Sequence, residues 1–141
     1  MDFVELGHDY SLGVPELDKQ HTELARQLNE AIKHCTGKKA DEKQFFDKNM
    51  RNSIDFLKNH FETEEKLLSK TKYDHLGKHK SEHKEMLKKL KKMNDDIEKK
   101  RIELDLFLVM AFIKEMVVKH IRTFDMGAKK YFIDGYEKGA V

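Results

Sequence analysis

Several histidines of this sequence stand at helical spacing beside apolar residues, where a solvated side chain is not expected. His79 and His83 are four residues apart, and Glu64 follows His60 at the same interval. Each pair therefore shares one face of a helix. Imidazole nitrogens and carboxylate oxygens are donor atoms that hold transition-metal ions in proteins. These residues predict a metal site inside a helical protein.

Two further histidines extend the pattern to other helices. His21 lies between Leu17 and Leu24 on an apolar stripe, and His120 comes three residues after Val117. Buried polar groups without partners cost about 1–3 kcal/mol each, whereas a small domain is stable by only about 5–15 kcal/mol in total. A bound metal removes this cost by accepting the lone pairs. We therefore expect the histidines to converge on metal.

Asp125 follows His120 by five residues, which is not a helical repeat. An ideal helix turns about 100° per residue, so the two side chains would point in different directions. Both can face one centre if the helix widens locally at a π-bulge, or if the Asp125 side chain reaches around from the adjacent turn. The sequence leaves both possibilities open.

Apolar residues at steps of three and four divide most of the chain into amphipathic helices. Short connections between such helices favour an all-α, up-down-up-down antiparallel four-helix bundle in one domain, residues 1–141. We expect an N-terminal arm and a short C-terminal helix or tail around this bundle. The predicted segments are the arm 1–16, helices at about 17–36, 41–70, 75–100 and 102–126, and the tail 127–141.

Composition excludes several classes of protein. The 28 basic and 26 acidic residues leave a formal charge of +2, which gives no reason to expect a nucleic-acid partner. Cys35 is the only cysteine, so an intrachain disulfide and a thiolate metal site of the zinc-finger kind are excluded. The sequence shows no signal-peptide pattern and no apolar run that could span a membrane. We expect a cytoplasmic protein without a membrane partner.

Four linked motifs carry a family resemblance. In chain order they are Tyr10–His21, His60–Glu64 (H-x-x-x-E), His79–His83 (H-x-x-x-H) and His120–Asp125 (H-x-x-x-x-D). The first of them resembles a segment that leads into the first ligand histidine. An isolated H-x-x-x-H is a weak signal, but four motifs in this order and at these separations are specific. Through these residues the chain resembles the hemerythrins, in particular the small bacterial members with a single domain.

The resemblance implies a cofactor of two iron ions joined by an oxo or hydroxo group. The implied ligands are His79, His83 and His120 for one iron, His21 and His60 for the other, and Glu64 and Asp125 as bridges between them. These side chains supply about nine metal bonds and the shared oxygen about two more, whereas two octahedral metals take about twelve. One position stays open on the iron with two histidines. Ligand type alone would also admit manganese or zinc.

The resemblance further implies that the partner is dioxygen and that the protein carries, stores or delivers it without acting as an enzyme. In hemerythrins dioxygen binds end-on at the open iron, takes one electron from each metal and the proton of the bridging hydroxide, and is held as a hydroperoxide. An apolar wall slows the entry of water and protons. We expect five residues to form this wall, because each is close to a ligand along its helix. They are Leu24, Phe61, Met116, Val117 and Ile121.

The wall departs from the family pattern before His120. Members of the family often carry Trp four residues and Leu three residues before this histidine, where the present chain has Met116 and Val117 and no Trp at all. A smaller, more flexible wall could admit water or larger ligands. The alternatives are therefore a di-iron oxidase or peroxidase and an oxygen or redox sensor module. Reversible oxygen binding by a monomer or small homo-oligomer is favoured, with the protein recipient unidentified.

Overall fold

Five α-helices and no β-strand occur among the residues that the computed structural model describes, 3–34, 39–99 and 106–139. The helices are α1 (Pro15–Lys33), α2 (Lys39–Ser69), α3 (Leu76–Glu98), α4 (Leu106–His120) and α5 (Lys129–Glu137). The first four form the predicted all-α bundle, and α5 is the predicted short C-terminal helix, which packs against α2. None of the described helices combines the length and apolar character needed to cross a membrane.

The N-terminal arm is shorter than the sequence predicts, because α1 begins at Pro15. Proline suits a first helical position, where its missing N–H would have no partner within the helix. The Asp18 carboxylate accepts hydrogen bonds from the Leu12 backbone N–H and the Ser11 hydroxyl, both at 2.8 Å. Leu12 and Val14 are buried. The arm is therefore attached to the first turn of α1.

Other helix ends also differ from the predicted bounds. Helix α1 ends at Lys33 rather than at about residue 36, α2 begins at Lys39 rather than at 41, and α3 runs from Leu76 to Glu98 rather than over 75–100. Shifts of one or two residues are ordinary at fraying helix ends. Cys35 and the predicted start of the fourth helix at residue 102 lie outside the described residues. A π-helical turn, Ile121–Asp125, interrupts the predicted helix 102–126.

Two apolar clusters occupy the interior, and a polar layer separates them. The larger cluster lies among α1–α4 and includes Leu24 and Phe61. The smaller cluster joins the arm, α1, the end of α2 and α5, and includes Leu17 and Leu67. His21 lies between Leu17 of the smaller cluster and Leu24 of the larger cluster along α1. The polar layer that contains His21 therefore has an apolar cluster on each side.

Helix α5 approaches α2 closely at Gly135, which is buried. A Cβ atom at this position would lie 2.9 Å from the carbonyl carbon of Leu67, and even closer to its oxygen. The obstacle is backbone, so no side-chain rotation could relieve the contact. The absence of a side chain at Gly135 therefore allows α5 to cover the end of the bundle.

We expect Gly135→Ala to lower the free energy of unfolding by about 1–3 kcal/mol, because the added methyl group must push α5 away from α2. Urea denaturation followed by circular dichroism measures this change. Gly77→Ala is the matched control, because Gly77 lies in α3 with nothing within 4 Å of an added Cβ. That variant should be neutral or more stable by up to about 1 kcal/mol. Equal effects at the two sites would contradict the packing explanation.

Candidate metal centre

Side chains from all four bundle helices meet in the polar layer. The pairs His60–Glu64 and His79–His83 are each four residues apart on one helix, so their members project side by side. All seven residues nominated from the sequence as ligands are buried, with at most 3% of their surface exposed. They are His21 of α1, His60 and Glu64 of α2, His79 and His83 of α3, His120 of α4, and Asp125 of the π-helical turn.

The donor atoms of these side chains form two groups, within each of which all ligand atoms lie within 4.8 Å of one another. The three-His group consists of Glu64, His79, His83, His120 and Asp125. The two-His group consists of His21, His60, Glu64 and Asp125. Both carboxylates belong to both groups. Donor atoms at these separations can converge on a cation through bonds of about 2 Å.

Asp125 faces both groups with different oxygen atoms. Its Oδ1 lies 3.2 Å from Nε2 of His79 and 3.2 Å from Nε2 of His120. Its Oδ2 lies 3.2 Å from Nε2 of His21. Glu64 also lies near both groups, but through a single oxygen atom: its Oε1 lies 3.1 Å from Nε2 of His83 and 3.5 Å from Nε2 of His60. Both carboxylates are therefore close to imidazoles of both groups.

The π-helical turn explains how His120 and Asp125 face the same centre. The turn spans Ile121–Asp125 and follows directly after α4. A π-turn contains one more residue than an α-turn, so residues five apart come onto the same face. Of the two possibilities that the sequence left open, the structure shows the widened helix.

The polar atoms of the centre have little to bind except a cation. Across the described parts of the chain, ten buried side-chain nitrogen and oxygen atoms lack a hydrogen-bond partner, and nine of them belong to ligand candidates. Both oxygens of Glu64 and both oxygens of Asp125 are among the nine. Leaving them unpaired would cost about 1–3 kcal/mol each. A bound metal satisfies carboxylate and imidazole lone pairs at once, so the donor set fits a metal ion.

Burial keeps two of the histidines in the form that binds metal. It lowers the pKa of His60 to about 3, with repulsion from His21 acting in the same direction. It lowers the pKa of His83 to about 2, with repulsion from His120 adding to the effect. Both imidazoles are therefore neutral at pH 7, as a metal ligand must be.

Asp125 and His120 carry opposing charges in the centre, whereas the pKa of Glu64 moves towards its neutral form. Burial and the charge of Asp125 raise the pKa of Glu64 well above its usual value. Burial opposes charge on His120 and on Asp125, but their mutual attraction is stronger. It raises the pKa of His120 to about 10 and holds the pKa of Asp125 well below its usual range. At neutral pH, His120 therefore holds a proton where a cation would bind, and the raised pKa of Glu64 favours proton uptake by that carboxyl group.

Two residues that sequence reasoning missed contact the outer nitrogens of ligand imidazoles. The Nδ1 atom of His60 lies 2.7 Å from Oε1 of Gln20, and Nδ1 of His83 lies 2.9 Å from Oε2 of Glu65. Because these oxygens only accept, each imidazole donates from Nδ1 and leaves Nε2 free to face the centre. The one signal in the sequence is that Gln20 and Glu65 each adjoin a ligand candidate.

The predicted apolar wall is only partly gathered in one place. Leu24 and Val117 line a cavity of about 300 Å³ among α1, α2, α3 and α4. Phe61 stacks on His83, with ring centroids 3.9 Å apart and an angle of 7° between the rings, so it lies against the three-His group. Ile121 is buried in the larger cluster, and Met116 packs partly buried against that cluster. The oxygen-pocket role of all five residues stays a prediction.

An antiparallel helical bundle with a buried cluster of histidines and shared carboxylates defines a cation-binding bundle protein. Comparison with protein families gives the same class, since the model of the hemerythrin HHE cation binding domain matches residues 12–130. The chain belongs to this family, which confirms the resemblance found in the motifs. Comparisons with curated proteins and with solved structures gave no match.

We expect metal binding to release at least one proton near pH 7, because a cation must displace the proton of His120. Since the pKa of His120 is about 10, affinity should rise with pH from 6 to 8. The rise is about tenfold per pH unit for each proton released. His60 and His83 contribute none, since they are neutral throughout this range. Calorimetric titration with Zn²⁺ in two buffers of different ionisation enthalpy counts the protons; an affinity independent of pH would refute this charge assignment.

Proposed function

We propose that this protein binds dioxygen reversibly at a pair of iron ions held by the seven ligand candidates, and so carries, stores or delivers oxygen. Membership of the hemerythrin family and the buried cluster support a cation-binding domain. Imidazole combined with carboxylate suits iron. The two ligand groups differ in their number of imidazoles, three against two. This difference favours oxygen binding over a purely structural metal site.

The two-His group has one imidazole fewer than the three-His group, although both share Glu64 and Asp125. A cation held by His21 and His60 therefore has one more coordination position for a small ligand. When bound as ferrous ions, the metal pair supplies the two electrons that dioxygen takes up in reversible binding. Structural metal sites are normally closed by protein ligands, whereas functional sites keep a position for an exogenous one.

The surrounding residues would protect such a centre from water. The ligand candidates are at most 3% exposed, and the polar layer lies between two apolar clusters. Gln20 holds the ring of His60 so that Nε2 faces inward. Leu24 and Val117, each three residues from a ligand candidate, contribute hydrocarbon side chains to the cavity among the four helices.

The decisive experiment follows the visible spectrum of the iron-loaded protein through an oxygen cycle. The protein is reduced without air, exposed to oxygen and then purged, and iron is quantified in the same sample. We expect two irons per chain and a coloured form that appears with oxygen and disappears on purging. Irreversible conversion to an oxidised form would refute reversible binding and support the oxidase or sensor alternative. Peroxide in the medium would identify the oxidase.

We propose that oxygen reaches the centre through the cavity of about 300 Å³, because Leu24 and Val117, which line it, each lie three residues from a ligand candidate along their helices. We expect Ile113→Phe to slow oxygen association in stopped-flow measurements without changing the iron content, because the larger ring occupies this space. Leu108→Phe is the control, as Leu108 lies on the same helix and is 64% exposed. Equal association rates for the two variants would exclude the cavity as the route.

A further inference from the structure

We propose that the two cation positions differ in affinity and fill in order, the three-His position first, and that Glu65 is the positioning residue that strengthens it. The inference rests on the metal pair of the proposed function but not on its oxygen chemistry. It follows from the groups that contact the outer nitrogens of His83 and His60. One of these groups is charged, and the other is neutral.

The outer contact of the three-His group is a carboxylate. Oε2 of Glu65 lies 2.9 Å from Nδ1 of His83, whose Nε2 lies 3.1 Å from Oε1 of Glu64 on the inner side. A carboxylate that accepts the Nδ1 proton draws it away from the ring and raises the electron density at Nε2. The side chain of Glu65 is only 27% exposed, so solvent screens its charge incompletely. His83 is thereby made a stronger donor to a cation.

The orientation of His83 is fixed as well as its charge. The ring of Phe61 stacks on it with centroids 3.9 Å apart and an interplanar angle of 7°. With Phe61 on its face and Glu65 at its outer edge, the imidazole can move little. A donor that is already oriented loses less conformational freedom when the cation binds. Both contacts therefore favour occupation of the three-His position.

The outer contact of the two-His group is a neutral amide. Oε1 of Gln20 lies 2.7 Å from Nδ1 of His60. The amide orientation is determined by its other end, where Nε2 of Gln20 donates to Oε1 of Glu16 at 3.2 Å and to Oγ1 of Thr63 at 3.4 Å. Gln20 therefore orients His60 without adding negative charge to it. The two-His position has fewer imidazoles, and its anchored imidazole is the weaker donor.

Anaerobic calorimetric titration with ferrous iron alone tests this order. We expect two resolved steps in the unaltered protein. Crystals grown with one equivalent of iron should show anomalous scattering at the three-His group. Glu65→Gln keeps an acceptor at Nδ1 of His83 but removes the charge, so the first step should weaken by about tenfold or more while the second changes little. Gln20→Glu is the reciprocal variant and should strengthen the second step.

Glu62→Gln is the matched control, because Glu62 is an exposed carboxylate on the same helix and is not among the contacts of any ligand imidazole described above. Its removal should change both steps by less than about twofold, as expected for a screened surface charge. Circular dichroism and thermal unfolding of the iron-free variants establish that each one folds.

Three results would overturn the inference: two equal steps in the unaltered protein, a Glu65→Gln effect shared equally by both steps, or a Glu62→Gln effect of the same size. Binding of fewer than two ions would overturn it together with the proposed metal pair. Two unequal steps that respond to Glu65 as expected would support it, even if oxygen binding then proved irreversible. In that case only the proposed function would fail.

Discussion

Two carboxylates and five imidazoles are buried together in the bundle. They cannot satisfy all of their hydrogen-bonding groups by contacts with one another. Glu64 and Asp125 are buried together, and their oxygens make no hydrogen bond although imidazole nitrogens lie 3.1 and 3.2 Å away. In a medium of low polarity, a lone carboxylate takes up a proton or finds a positive partner. His120 serves Asp125 in this way, whereas the pKa of Glu64 is raised, which favours its protonated form. A cation placed among these donors relieves both conflicts at once.

Much of the remaining structure makes that polar layer possible. The larger and smaller apolar clusters enclose it from both sides, and burial of their side chains is the main source of stability in a bundle of this size. The close approach at Gly135 lets α5 cover one end. The arm is attached through Asp18, so that Leu12 and Val14 enter the smaller cluster. The π-helical turn is a local departure from regular geometry that brings Asp125 inward.

Helical spacing predicts most of the centre because the backbone alone determines which residues share a helical face. The interval of four residues is enough to place His79 beside His83 and His60 beside Glu64. The widened turn before Asp125 was only one of two possibilities, since the sequence does not reveal how tightly a helix is wound. Gln20 and Glu65 could not be predicted, because polar residues at the edge of a helix look alike whether they face water or an imidazole.

The cavity and the apolar wall depend on tertiary packing, which the spacing of residues in the sequence does not determine. Adjacency to a ligand nominated Phe61, but adjacency does not say on which side of an imidazole a ring packs. The structure places it on His83 of the three-His group. The space beside Leu24 and Val117 arises where side chains of four helices fail to fill a volume, which is a property of tertiary packing.

The α2–α3 pair has a consequence for how such a protein assembles. Four ligand candidates, His60, Glu64, His79 and His83, lie on these two helices, which are separated only by residues 70–75. Contacts between neighbouring helices require little loop closure and tend to form early. His21 and Asp125 come from distant parts of the chain and join when the whole bundle closes. The α2–α3 hairpin can therefore bring four of the seven donors together early, whereas each donor group is complete only when the ends of the bundle join it.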